Sequence, residues 1–177
     1  MNIKSISKFL SLILRHSPET IQLPLDDHGW ADVDTLLAQC KAHGRPFTFA
    51  TLETVAAEND KQRFSFNEDK TRIRANQGHS LEVTLDLPVA TPPEFLYHGT
   101  VDKFIKAIRT TGLQKGKRHH VHLSDNLSTA ENVGSRRGAP KILTIHSGRM
   151  HRDGIPFYLS VNGVWLTDEV PPQYIAI

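Results

Sequence analysis

Between residues 58 and 64 the apolar residues of this chain stop recurring every three or four positions and begin to alternate. Upstream, Ile6, Phe9, Leu10, Ile13 and Leu14 fall at i, i+3, i+4, i+7 and i+8, one stripe of an amphipathic helix. Ser5 is placed to cap that helix and Pro18 bars its continuation, so Arg15 and His16 stand at its C-terminal end. The helix dipole favours a cation there. That accounts for one positive residue, but not for an Arg and a His side by side before a turn. Gly29-Trp30 marks a turn, Asp32 can cap a second helix reaching about His43, and Gly44 stops it. A third helix fits Phe49 to Glu58, with Leu52, Val55 and Ala56 inward. Downstream, Arg63-Phe64-Ser65-Phe66 alternates, Asn67-Glu68-Asp69 turns, and Thr71-Arg72-Ile73-Arg74 alternates back, a β-hairpin. Phe64 and Phe66 take one face, Arg63 and Ser65 the other. Three helices followed by a hairpin is the order of a winged-helix module.

Leu85 to Pro93 contains Pro88, Pro92 and Pro93 and reads as a linker between two lobes. The second lobe opens on a short strand, Phe95-Leu96-Tyr97, followed by His98-Gly99-Thr100. Val101, Phe104, Ile105 and Ile108 then predict an amphipathic helix ended by Gly112. Ser128-Thr129-Ala130-Glu131 has the form of a capping box opening a short helix. Lys141 to His146 is a strand, and Asn162-Gly163 is a hairpin turn between Phe157–Val161 and Val164–Thr167. The class expected is α+β.

Composition sets limits. At 177 residues and 38% hydrophobic, the chain can fill one ordinary domain or two small ones. Its single cysteine, Cys40, excludes an internal disulfide and a Cys-rich zinc site, and suits a core position. No stretch has a signal-peptide pattern or the length of a membrane span, so a soluble, cytoplasmic protein is the expectation. There is no GxGxxG, no GxxxxGK[ST] and no G-x-S-x-G, which leaves no sequence support for a Rossmann crevice, a P-loop or a serine nucleophile.

The stretch Arg118-His119-His120-Val121-His122-Leu123-Ser124 carries the chemistry of the second lobe. As a strand it turns Val121 and Leu123 into a core and lines Arg118, His120, His122 and Ser124 along the other face. A row of unpartnered polar side chains is poor core material and suits a site for an anion. His120 and His122 share a face as two metal ligands could, but no third ligand is evident, so hydrogen-bonded histidines and no metal are expected. Arginine offers a rigid fork of donors that matches phosphate and stays charged. Arg15, Arg63 and Arg118 come from a helix end, a hairpin strand and a strand of the other lobe, and are expected to meet at the cleft between the lobes.

Six motifs, in order and spanning nearly the whole chain, give a family resemblance: Leu14-Arg15-His16, Asn59-Asp60-Lys61-Gln62-Arg63-Phe64, Gln77-Gly78-His79-Ser80, Tyr97-His98-Gly99-Thr100, Arg118 to Ser124, and Asn162-Gly163-Val164-Trp165-Leu166-Thr167. They closely resemble the NAD-dependent RNA 2′-phosphotransferases, also called tRNA splicing 2′-phosphotransferases. The resemblance implies a winged-helix RNA-binding lobe over residues 1–87 and an ADP-ribosyltransferase-like, NAD-binding lobe over 88–177. It implies Arg15, His16, Arg63 and Arg118 as the catalytic quartet, with His98, Gly99, Thr100, His122 and Ser124 in the NAD pocket. The implied partners are NAD as co-substrate and an RNA bearing an internal 2′-phosphate, handled by a monomer without a membrane.

The implied reaction suits the inventory. A 2′-phosphate is already anionic, so its attack on C1″ of the nicotinamide ribose needs charge handling rather than a base. The later attack of O2″ on phosphorus needs proton transfer, for which His16 is a candidate. Many ADP-ribosyltransferases place a glutamate late in the lobe, where this chain has Asn162-Gly163-Val164-Trp165. The lack of an acid there suits a phosphate acceptor better than a protein side chain. Two alternatives stay open: an ADP-ribosyltransferase that caps terminal phosphates of nucleic acid, and a catalytically inactive winged-helix nucleic-acid-binding protein.

Overall fold

The computed structural model describes residues 2–58 and 61–177, and the chain divides into two compact units, Met1–Asp86 and Leu87–Ile177. Both combine helices with small antiparallel sheets, the α+β class expected.

In the first unit, α1 (Ile3–Arg15) buries its whole stripe, with Ile6, Phe9, Leu10, Ile13 and Leu14 each 6% exposed or less. Its cap is Asn2 and not Ser5: Asn2 has extended backbone, and its Oδ1 accepts the Ser5 N–H at 2.8 Å. Ser5 sits inside the first turn as the donor. At the far end the N–H groups of His16 and Ser17 both turn back to the Leu12 carbonyl, at 3.0 and 2.9 Å. That closure leaves the Arg15 carbonyl in need of a donor from elsewhere in the chain.

Asp32 ends β1 (Ala31–Asp32) and caps α2 (Val33–Ala42), its carboxylate accepting the Thr35 N–H and hydroxyl at 2.8 and 2.7 Å. These bonds hold its carboxyl below the usual range. The next helix, α3 (Phe49–Ala57), is capped by Thr48. The hairpin pairs β2 (Phe64–Phe66) with β3 (Arg72–Ala75) in the register Phe64↔Ala75 and Phe66↔Ile73. The other edge of β3 takes up β1, Ala31 opposite Ile73, which makes the hairpin a three-stranded sheet. Two residues carry no period, so β1 is invisible to pattern reading. Helix stripe and sheet close over one core that includes Leu36, Cys40, Leu52, Val55, Phe64, Ile73 and Ala75.

The second unit is built on β4 (Leu96–Val101), which carries the expected strand on through His98-Gly99-Thr100. Then come α4 (Asp102–Thr111), β5 (Leu113–Gln114), β6 (Val121–Leu123), α5 (Leu127–Gly134), β7 (Pro140–Ile145), α6 (Ser147–Arg152), β8 (Tyr158–Leu159), β9 (Trp165–Thr167), β10 (Glu169–Val170) and β11 (Ile175–Ala176). Two three-stranded sheets, β11-β7-β4 and β6-β9-β8, are stitched by reciprocal bonds between Tyr97 and Ser124 at 2.7 and 2.9 Å, and β5 pairs with β10. The Asn162-Gly163 turn joins β8 to β9 as expected, with Gly163 at φ 76°. Helix α5 starts one residue ahead of the capping box: its cap is Asn126, whose Oδ1 accepts the Thr129 N–H at 3.1 Å. Among the described residues no helix is long and apolar enough to cross a membrane.

Helix α5 lies directly on β4, backbone against backbone, at Gly99. A Cβ at Gly99 would collide with the Ala130 carbonyl oxygen and come within 2.8 Å of the Gly134 nitrogen. Gly99→Ala is therefore expected to cost about 3 kcal/mol, the upper end for overpacked cores. Urea or thermal unfolding checks this, and an unchanged midpoint would refute so close an approach.

Candidate active site

Both polar clusters expected from the sequence are held by long-range hydrogen bonds within their own units. In the first unit the organiser is the segment from Ala75 to Ser80, the end of β3 and the loop after it. Asn76 is 4% exposed; its backbone N–H donates to the Arg63 carbonyl at 2.9 Å and its side-chain amide to the Gln62 carbonyl at 2.6 Å. Gln62 has φ 39°, a left-handed conformation that a non-glycine residue keeps only when held. Asn76 thus fixes the turn that sets Arg63 just ahead of β2. Four residues on, Ser80 donates its N–H to the Arg15 carbonyl at 2.9 Å, and its Oγ lies 2.9 Å from Nδ1 of His16. Gly78, between them, is buried at φ 86°, a conformation that favours glycine. One short segment therefore anchors the backbone of Arg15 and Arg63 and the ring of His16. Asn59 and Asp60 of the same motif lie outside the described residues.

His16 is exposed and Arg15 and Arg63 are half-buried. The other arginines of the hairpin are engaged differently. Arg74 stacks its guanidinium 4.5 Å over the Trp30 ring, and Arg72 sits 5.9 Å over the same ring and 3.4 Å from the Asp26 carboxylate. Those contacts are structural in kind.

In the second unit regular strand is confined to Val121–Leu123, shorter than the strand expected from Arg118 to Ser124. Val121 and Leu123 are buried as the alternation requires. Arg118 instead closes a turn through its N–H to the Lys115 carbonyl at 3.2 Å, and its guanidinium reaches back to Nδ1 of His122 at 3.3 Å. Partial desolvation, then the charges of Arg137 and Arg136, push Arg118 down from the usual arginine value. The short turn Ser135–Arg137, which follows α5, therefore brings two more guanidiniums near Arg118. His98 donates from Nδ1 to the His122 carbonyl at 2.9 Å. Burial, the dominant cause, holds the His98 ring below the ordinary histidine value, so it is neutral near pH 7 with Nε2 carrying a lone pair. Thr100 is buried, and Ser124 spends its hydroxyl in the turn to Asn126, at 3.0 and 3.1 Å. His120 lies beside Tyr158, ring centroids 5.4 Å apart. Among the described residues no group of three His, Cys, Asp or Glu is placed to hold a metal ion.

Asn76, Ser80, Arg136 and Arg137 were not singled out for the site by sequence reasoning. Ser80 lay inside a motif quoted for the resemblance, and its link to His16 crosses 64 positions that no local pattern reports.

Comparison with known proteins gives the family of the chain. The family model described as "RNA 2'-phosphotransferase, Tpt1 / KptA family" matches residues 2–169. A relative named "Probable RNA 2'-phosphotransferase" from Flavobacterium johnsoniae is 60% identical over 172 residues, 97% of this chain and 94% of the relative. Relatives of the same name from Hahella chejuensis and Rhodopirellula baltica are 54% and 55% identical, covering 99% and 97% of this chain and 94% of each relative. The chain belongs to the RNA 2′-phosphotransferase, Tpt1 / KptA family.

Asn76→Ala is expected to cost roughly 1–3 kcal/mol, since it strips the donor from a carbonyl in a left-handed turn. Urea denaturation of wild type and variant measures it; a difference inside experimental error would show that the turn before β2 is held without the Asn76 amide.

Proposed function

We propose that this chain is an enzyme that removes an internal 2′-phosphate from RNA by transferring it to NAD⁺. The products are RNA with a free 2′-OH, nicotinamide and ADP-ribose 1″,2″-cyclic phosphate. Family membership supports the substrate and the group transferred. The structural observation that carries the rest is the Ala75–Ser80 segment, which anchors Arg15, His16 and Arg63 together. In this reading the first unit is a winged-helix lobe that handles RNA and the second an ADP-ribosyltransferase-like lobe that takes NAD⁺. Its basic residues outnumber its acidic ones, whereas in the first unit the reverse holds, so the second unit also attracts the polyanion.

Arg15, His16, Arg63 and Arg118 are the catalytic residues of this proposal. In the first step an oxygen of the RNA 2′-phosphate bonds to C1″ as the bond to nicotinamide breaks, and the ring leaves neutral. No base is needed; guanidiniums hold and aim the phosphate. In the second step O2″ loses its proton as it attacks phosphorus, and the RNA 2′-oxygen gains one as it leaves. His16 is the group that moves that proton. The donor set suits a dinucleotide ribose: His98 offers a lone pair at Nε2 to a ribose hydroxyl, and Gly99, Thr100, His122 and Ser124 belong to the pocket by family resemblance. Localisation in the cytoplasm and action as a monomer belong to the same proposal.

Two experiments test it. With NAD⁺ labelled in the adenylate, a 2′-phosphorylated RNA should pass the label into a small cyclic phosphate. Label kept on a 5′-phosphorylated RNA instead would make the chain a terminal-phosphate ADP-ribosyltransferase. No use of NAD⁺ would leave a nucleic-acid-binding protein. Arg63→Ala should slow the second step by about two orders of magnitude, the cost of a lost donor where charge concentrates. The first step should change less, so single-turnover reactions should accumulate RNA carrying ADP-ribose on its 2′-phosphate. Equal slowing of both steps without that species would refute the assignment of Arg63 to the second step.

A further inference from the structure

We infer that Ser80 is a positioning residue that fixes the tautomer of His16, leaving Nε2 as the atom that exchanges the proton in the second step. The inference rests on the proposed role of His16. It follows from three contacts that share one hydroxyl and one carbonyl.

Ser80 Oγ lies 2.9 Å from His16 Nδ1 and 3.5 Å from the Arg15 carbonyl oxygen, and the Ser80 N–H donates to that same carbonyl at 2.9 Å. A carbonyl only accepts, so any bond from Oγ to Arg15 uses the hydroxyl proton. With the hydroxyl proton on that side, the oxygen lone pairs face Nδ1, and an Nδ1–H completes the pair. This arrangement, Nδ1–H to Oγ–H to carbonyl, satisfies each group in turn. It also survives protonation of the ring, because imidazolium keeps its Nδ1–H and gains its second proton at Nε2. The opposite arrangement, with the hydroxyl donating to a bare Nδ1, would have to reverse each time the ring became charged. A group that alternates between acid and base in one turnover benefits from the arrangement that need not reverse. The ring is held at the C-cap of α1, where backbone closure onto Leu12 sets its Cα and the Ser80 contact sets its rotation.

Two features separate this role from simple support of the fold. Ser80 is exposed, so its hydroxyl is not required to satisfy a buried group. The bond from its N–H to Arg15 belongs to the backbone and survives any side-chain change. Ser80→Ala therefore removes Oγ alone.

The test uses the full chain with ¹⁵N-labelled histidine, and His16→Gln to assign the His16 signals. Above the histidine titration range, wild-type His16 should show Nδ1 protonated and Nε2 bare, the reverse of the form favoured by a free histidine side chain. In Ser80→Ala that preference should be lost. In the transfer assay with 2′-phosphorylated RNA and NAD⁺, kcat should fall about tenfold, one hydrogen bond's worth of orientation, with KM for RNA little changed. Ser80→Thr, which keeps a hydroxyl, should restore both readouts. Wild-type His16 protonated at Nε2, or a Ser80→Ala protein with the wild-type tautomer and rate, would overturn the inference. A wild-type protein that fails to transfer phosphate would refute the proposed function, while the tautomer measurement still decides whether Ser80 sets the ring.

Discussion

An α-helix ends with carbonyls that its own N–H groups cannot reach, and in α1 the carbonyl of Arg15 is one of them. Its donor is the backbone of Ser80, 65 positions downstream. That bond ties the helix that builds the first core to the loop leaving the hairpin. The same loop has just passed Asn76, which holds the turn before β2. Arg15, His16 and Arg63, from two distant segments, are therefore tied to one stretch of chain, Arg15 and Arg63 through their carbonyls and His16 through its ring.

The second unit solves its placement problem by close approach instead. Gly99 lets α5 lie against β4 without a side chain between them, and Asn126 caps α5 from the turn that Ser124 begins. The turn after α5 consequently carries Arg136 and Arg137 to the neighbourhood of Arg118. Their charges act on Arg118 in the same direction as its desolvation, which is the larger effect. His98, neutral through burial, is oriented by the His122 carbonyl from the adjoining sheet, so the Tyr97–Ser124 stitch between sheets also sets the ring.

What the sequence made legible was what repeats locally. The stripe of α1, the alternation of β2 and β3 and the Asn162-Gly163 turn are each encoded within a few residues, and each formed. Caps were displaced by up to three positions, from Ser5 to Asn2 and from Ser128 to Asn126, because several side chains there can accept a helix N–H. Backbone conformation chooses among them. The strand expected from Arg118 to Ser124 shrank because Arg118 turns back on Lys115 before pairing with β9 begins. Strands β1, β5, β10 and β11 are too short to carry a period. Arg15, Arg63 and the row from Arg118 to Ser124 stood out by pattern, their roles came from the family resemblance, and the contacts of Asn76 and Ser80 came only from the fold.

The central claim is that the 2′-phosphate of RNA leaves on the ribose of NAD⁺. The most direct measurement follows that phosphate: an RNA with one ³²P-labelled internal 2′-phosphate, incubated with the protein in the presence and absence of NAD⁺. The account predicts that the label moves, only with NAD⁺ and with one nicotinamide released per phosphate, into ADP-ribose 1″,2″-cyclic phosphate. Label released as inorganic phosphate, or lost equally without NAD⁺, would contradict it.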